Sequence, residues 1–333
     1  MSSSLLISSL TVSLLASAAR AQTTVPVFGS TVCAAGSFCS WESDFFSQCV
    51  PGTAPPPFSG PINFWFPFGD SYTSTTFAPN ETLPNIHNPL GNPPFPGFTG
   101  GGGENYVGYL TETDNSSVVF AYNYAFGGAT INASLVTPFE PTVLSLIDQV
   151  NEFLTGGVAS KPASTPWTSA NALFSVWIGV NDMAGSWFEP GDRGVFAETL
   201  LGEYFALIQK LVAVGARNFL FLNVPRVDLT PQFAANGAAD QAILKSVIDD
   251  FNTRLATHVA SFKAQNSGVT TWIWDSNSVF TTILANPTAF GFVDAISFGN
   301  TGDFWGNDFH PGPEAHAIFA QDIAKQMAGS VWF

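Results

Sequence analysis

Four short blocks stand in a fixed order along the chain: Gly69-Asp70-Ser71-Tyr72, Gly127-Gly128-Ala129-Thr130, Gly179-Val180-Asn181-Asp182 and Asn307-Asp308-Phe309-His310-Pro311. Together they contain what acyl transfer requires. A serine hydroxyl is a weak nucleophile until an imidazole takes its proton, and the tetrahedral oxyanion that follows needs N–H donors aimed at it. Ser71 is therefore the expected nucleophile and His310 the expected base. The backbone amides of Ser71 and Gly128 and the side chain of Asn181 are the expected oxyanion donors.

Each block alone has a plainer reading. Gly-Asp-Ser marks turns, a lone glycine serves any turn, and Asn or Asp caps helices, the role assigned to Asp182. Of the four histidines, His87 falls in a Pro-rich loop, His258 on a polar helix face and His316 on a terminal helix, where it reads as structural. That leaves His310 as the base.

The elements that must carry these blocks follow from hydropathy. From Ile62 onward, short apolar runs alternate with longer segments of helical periodicity, the pattern of an α/β domain with a mostly parallel sheet. Strands are predicted over 62–68, 118–124, 173–178, 218–223 and 271–274. Helices are predicted over 142–154, 196–214, 241–262 and about 313–327, the last entered through Pro311 and Pro313. Few of the strands alternate polar and apolar residues, so they read as buried on both faces. Residues 84–103, with four consecutive glycines, form a long loop of the kind that is often functional. The first and third blocks follow predicted strands and the second follows 118–124, which places the chemistry at the carboxyl edge of the sheet.

On these blocks the chain resembles the GDSL or SGNH family of serine esterases over roughly Ile62 to Phe333. The resemblance implies a three-layer α/β fold, flavodoxin-like, with a mostly parallel central sheet. It also implies an acyl-enzyme on Ser71. The family places Asp three residues before its histidine, where this chain has Asn307, while Asp308 lies two before. Either a one-residue shift lets Asp308 orient the imidazole, or the machinery works nearly as a dyad. Asp308 is taken as the orienter, with Asn307 as the alternative, completing Ser71, Asp308 and His310. Within the family the chain is similar to fungal carbohydrate esterase family 16 acetylesterases. That implies a substrate of acetylated cell-wall saccharide or another small ester. A lipase or phospholipase, and a non-catalytic wall-binding protein, are the other readings.

Composition limits the rest. Acids outnumber bases 25 to 10, giving a net charge of −15, which disfavours nucleic acid and anionic membranes as partners. No Cys-x-x-Cys, His-Glu-x-x-His, Gly-x-Ser-x-Gly or phosphate-loop pattern occurs, so no metal or cofactor is implied. Residues 1–21, an apolar stretch ending Ala19-Arg20-Ala21, read as a secretory signal, with a soluble, extracellular monomer after it. Asn80, Asn115 and Asn132 head glycosylation sequons.

All three cysteines fall between Cys33 and Cys49, marking a local stapled unit. Residues 22–50 resemble a truncated fungal family 1 cellulose-binding module, followed by a Pro-rich linker over 51–61 and the esterase domain over 62–333. The resemblance implies a Cys33–Cys49 bridge with Cys39 left over, and cellulose contact through Phe28, Phe45 and Phe46. A relic that binds nothing is the alternative.

Overall fold

The computed structural model describes residues 33–43, 46–54 and 59–333. Two compact units divide the chain near residue 56. The expected signal segment, Phe28 and Phe45 lie outside the described residues, as does the side chain of Phe46.

The small unit is an antiparallel hairpin of β1 (Ser37–Ser43) and β2 (Phe46–Pro51), with a register shift between Trp41 and Ser43. Cys33 is bridged to Cys49 and the Cys39 thiol is exposed. A hairpin of this size buries little apolar surface, so the covalent link does what a core cannot.

The large unit begins with β3 (Ile62–Gly69), then α1 (Tyr106–Glu112) and β4 (Val118–Ala121). Next come α2 (Leu146–Thr155), β5 (Ala172–Trp177), α3 (Val180–Ser186) and α4 (Arg193–Ala213). Then follow β6 (Asn218–Leu222), α5 (Pro231–Ala234), α6 (Ala238–Gln265), β7 (Thr270–Trp274), α7 (Ser276–Ala285) and α8 (Pro313–Gln326). The five strands pair in parallel in the order β4-β3-β5-β6-β7. Counted from β3, this is the 2-1-3-4-5 order of doubly wound sheets, whose switch point lies at the first strand. Helices cover both faces, α1 packing with α8, and α2 and α6 with α4.

Burial explains the apolar strands. Every residue of β3 after Ile62 and all of β5 are buried. Aromatic rings fill the space: Phe66 packs on Phe153, Trp167 and Phe174 with centroids 5.1, 5.8 and 4.9 Å away. Buried indoles keep their N–H groups paired, Trp65 on Ser175 Oγ and Trp177 on the Asn223 carbonyl. Much of the chain's phenylalanine is thus core.

Four of the predicted strands recur within a residue or two. The run 118–124 is shorter as a strand than predicted and ends at Ala121. Its pairing nevertheless continues on one side, with Tyr122, Tyr124 and Phe126 donating to the carbonyls of Trp65, Pro67 and Gly69. That one-sided ladder carries the chain to Gly128 alongside the end of β3. Helices α1, α3, α5 and α7 were not predicted. They are short, and the apolar residues of α1 and α3 are too few to show a period.

Candidate active site

Three loops leave the carboxyl edge of the sheet side by side. Gly69 is in register with Trp177, and the Phe126 amide donates to the Gly69 carbonyl. Ser71 lies two residues beyond that edge, Gly128 two and Asn181 four. The end of β3 is clamped by Gln149 of α2, whose side chain accepts from Gly69 N at 2.9 Å and donates to Gly69 O at 2.8 Å. Gln149 is fully buried. In sequence it is one polar residue on an amphipathic helix, and only its burial reveals the role.

The fourth block arrives from a site 239 positions downstream: His310 Nε2 lies 2.7 Å from Ser71 Oγ. Its loop is folded back on itself, with Gly306 N donating to His310 O and Gly312 N to Phe304 O. Buried Phe304 and Trp305 root it in the core. Tyr72 ties it to the nucleophile, since its hydroxyl donates to Phe309 O at 2.5 Å and its ring lies 5.5 Å from the imidazole.

The orienting contact corrects the sequence reading. His310 Nδ1 meets Asn307 Oδ1 at 2.9 Å, whereas Asp308 is exposed and its carboxylate makes no hydrogen bond to the ring. The turn explains why. Asn307 Oδ1 also accepts from the amides of Phe309 at 2.9 Å and His310 at 2.8 Å, so its side chain folds over the loop while Asp308 points out. Asn307 Nδ2 donates to Gly100 O at 2.8 Å. Two backbone donors on one end and a carbonyl on the other fix which atom of the amide is oxygen. The imidazole must therefore donate from Nδ1, which leaves Nε2 free to accept the serine proton.

Gly100 belongs to the four-glycine run, and its backbone lies against the site. A Cβ there would fall 2.7 Å from His310 Cδ2 and 3.0 Å from Ser71 O. The long loop predicted over 84–103 is thus the wall behind the histidine, a role its composition suggested only in general terms.

On the other side of Ser71 the loop carrying Gly128 supplies amides. Gly128 has φ +81°, a conformation that favours glycine, and a Cβ at Gly127 would sit 4.0 Å from Ser71 Cβ. Asn181 opens α3 and its Nδ2 donates to Ala129 O at 2.8 Å, which ties it to this loop and leaves a second N–H. Among the described residues, neither Ser71 N nor Gly128 N has an internal acceptor. Unspent amides at such a place are ready donors for an anion.

Burial sets the electrostatics. It pulls the His310 imidazole down from 6.5 to about 4, against an upward pull from the Asp308 charge. Two carboxyls flank the donors. Burial raises Asp70 to about 8, with the neighbouring Asp182 adding to it, and raises Asp182 to about 7. Asp70 Oδ1 accepts from Tyr72 N at 3.0 Å, and the Asp182 oxygens accept from Ile131 N at 3.1 and 3.2 Å. Asp182 is therefore a brace between α3 and the Gly128 loop, a structural role as expected but not a cap; Gly179 holds the cap position. His316 is buried on α8 with its ring 6.2 Å from Tyr106, and burial lowers it to about 3. His258 pairs with Glu198 at 2.9 Å on the surface.

Among the described residues no group of three or more His, Cys, Asp or Glu is placed to hold a metal ion. No helix among them is long and apolar enough to cross a membrane.

A serine hydroxyl on an imidazole, beside free amides at the switch point of a 2-1-3-4-5 parallel sheet, defines the class of serine hydrolases built on a doubly wound fold. The family model described as GDSL-like lipase/acylhydrolase matches residues 66–323, and this chain belongs to that family of carboxylic ester hydrolases. An acetylesterase of Thermothelomyces thermophilus is 43% identical over 266 residues, covering 79% of this chain and 87% of that protein. A thermolabile hemolysin of Vibrio parahaemolyticus is 26% identical over 174 residues, 52% of this chain and 37% of its own. An acetylesterase of Hypocrea jecorina is 25% identical over 174 residues, 49% and 48% of the two chains.

Proposed function

We propose that this protein is a secreted acetylesterase that removes acetyl groups from cell-wall saccharides through an acetyl-enzyme on Ser71. The observation that carries the chemistry is the 2.7 Å contact of Ser71 Oγ with His310 Nε2. The choice of acetyl is supported by the 43% identity to an acetylesterase across most of both chains.

In the first half-reaction Ser71 Oγ attacks the ester carbonyl as its proton passes to His310 Nε2. The oxyanion is received by Ser71 N, Gly128 N and the free N–H of Asn181. Collapse breaks the bond to the sugar oxygen, which takes the proton from His310 and leaves as the alcohol. In the second half-reaction water gives its proton to the same nitrogen and adds to the acetyl carbon; collapse breaks the bond to Ser71 Oγ, which takes that proton from His310 as acetic acid departs and ionises. Asn307 Oδ1 holds the imidazole through both halves. It stabilises the cationic ring less than a carboxylate would. Keeping Asp70 and Asp182 protonated removes two negative charges that would oppose the oxyanion.

The test is acetate release from acetylated xylo-oligosaccharides by the native protein beside Ser71→Ala, with fluorophosphonate labelling of Ser71. Release that vanishes in the variant supports the reading. Labelling without release, together with a preference for 4-nitrophenyl esters of long acids, moves the substrate to lipids. No labelling makes the protein a binding relic.

A further inference from the structure

Four phenylalanines that face solvent are carried by the two loops that bracket Ser71, Phe95 at 46% exposure among them. Phe98 is 73% exposed and lies two residues before Gly100, which packs on His310. Phe139 is 85% exposed, and its Cβ would be 3.1 Å from a Cβ placed on Gly128. Phe126, 38% exposed, hydrogen-bonds through its amide to Gly69 and precedes Gly127. Phe98 thus stands on the histidine side and Phe126 and Phe139 on the oxyanion side. Among the described residues, neither Phe98 nor Phe139 contacts another ring.

Both backbones are held, so the rings are presented by fixed supports. Phe98 N donates to Thr75 O at 3.1 Å, and the loop beyond is tied by Thr99 Oγ1 to Gly103 O at 2.7 Å. Phe139 rests on Gly128, and Val143 packs against the same glycine. Exposing a phenyl ring forfeits the transfer free energy that burial would give it. Single exposed rings are common, but rings on both loops of one catalytic cleft form a surface that a substrate meets.

We propose that Phe98 and Phe139 are stacking platforms for the pyranose rings on either side of the acetylated sugar. They would set specificity for an oligosaccharide over a small acetate ester; this rests on the acetylesterase reading above. A pyranose presents a face of C–H groups to a phenyl ring while its hydroxyls stay in water, so an exposed phenyl suits it. Charge separates this ligand from a phospholipid surface. Residues 94–103 and 126–139 contain no Lys or Arg, and the whole chain carries −15. Capture of anionic headgroups relies on such cations.

The experiment compares kcat/KM on acetylated xylotetraose with kcat/KM on 4-nitrophenyl acetate for the native protein, Phe98→Ala, Phe139→Ala and Phe139→Trp. The ratio of the two constants is expected to fall about 10-fold in each alanine variant, through KM, and to recover in Phe139→Trp. A ratio unchanged in both alanine variants overturns the proposal, because the rings would then act on fold or chemistry alone. A selective loss on phosphatidylcholine vesicles, with the oligosaccharide unaffected, overturns it in favour of a lipid surface. Failure of the native protein to deacetylate the oligosaccharide, with 4-nitrophenyl acetate still cleaved, sinks the acetylated-saccharide reading first and this one with it.

Discussion

Replacing Asn307 by Asp tests whether a neutral amide holds the base. The carboxylate would stand where Oδ1 now lies, 2.9 Å from His310 Nδ1. At an effective dielectric of about 20, opposite charges some 4 Å apart attract by about 4 kcal/mol. Desolvation of the new charge takes back part of this, and an opposite charge in direct contact usually moves a pKa by about 1–3 units. The imidazole should therefore rise from about 4 by that amount, and the acid limb of kcat/KM should move up with it. The second carboxylate oxygen would face Gly100 O where Nδ2 now donates at 2.8 Å. The variant loses a hydrogen bond worth about 1 kcal/mol and gains a repulsion, so its Tm should fall.

In a triad built on Asp, the change to Asn costs about 10,000-fold because the amide turns an N–H to the ring and forces the wrong tautomer. Here the donors at Phe309 N and His310 N exclude that orientation. Asn307→Ala, which removes the tether altogether, should lower kcat by about 100- to 10,000-fold. The assay is a pH profile of 4-nitrophenyl acetate hydrolysis from pH 3 to 9, with folding checked by circular dichroism. An acid limb that stays put in folded Asn307→Asp, or that moves further in Asp308→Asn, refutes the assignment.

Asn181→Ala should reduce kcat about 100- to 1,000-fold with KM little changed, because the N–H not spent on Ala129 O serves only the developing oxyanion; equal losses in binding would contradict this. Gly100→Ala puts a methyl 2.7 Å from His310 Cδ2 and should lower kcat and slow fluorophosphonate labelling together, read by stopped-flow labelling at pH 7. Asp70 is raised from 3.8 to about 8, so the native state holds its proton more tightly than the unfolded chain. Its contribution to stability is complete below pH 3.8 and is lost progressively as pH rises to about 8, so Asp70→Asn should flatten the decline of Tm over that range. Retention on microcrystalline cellulose is expected to be stronger for the intact chain than for one beginning at Pro61, and equal retention would make the hairpin a relic.

The sheet was legible because strands buried on both faces read as unbroken apolar runs, as Phe64-Trp65-Phe66 does. Long helices were legible for the matching reason, a face of α4 or α6 repeated over many turns. Short α3 was hidden, although Asn181 on it was found through its block. The pairing of Ser71 with His310 could be anticipated from residue type and order, since few other side chains could supply the base. The choice of Asn307 over Asp308 could not, because it lies in which side chain the turn folds inward, and that depends on Gly100 and on two backbone donors. Gln149 and Gly100 were equally hidden: each acts by its place in space, with no chemistry visible in its own neighbourhood of sequence.

Taken together, the site's protonation states delimit its working range. The base needs a neutral imidazole, available above about pH 4, where a histidine of ordinary pKa would still be mostly protonated. The hole needs Asp70 and Asp182 uncharged, a condition that weakens as pH passes from about 7 to 8. A carboxylate at position 307 would move the first boundary up and shrink the window from the acid side. The amide gives up part of the electrostatic support for the imidazolium and in return keeps the base deprotonated in acid. Activity should thus be greatest between roughly pH 5 and 7, and an optimum at pH 9 would mean that the carboxyl groups beside the hole are ionised without harm.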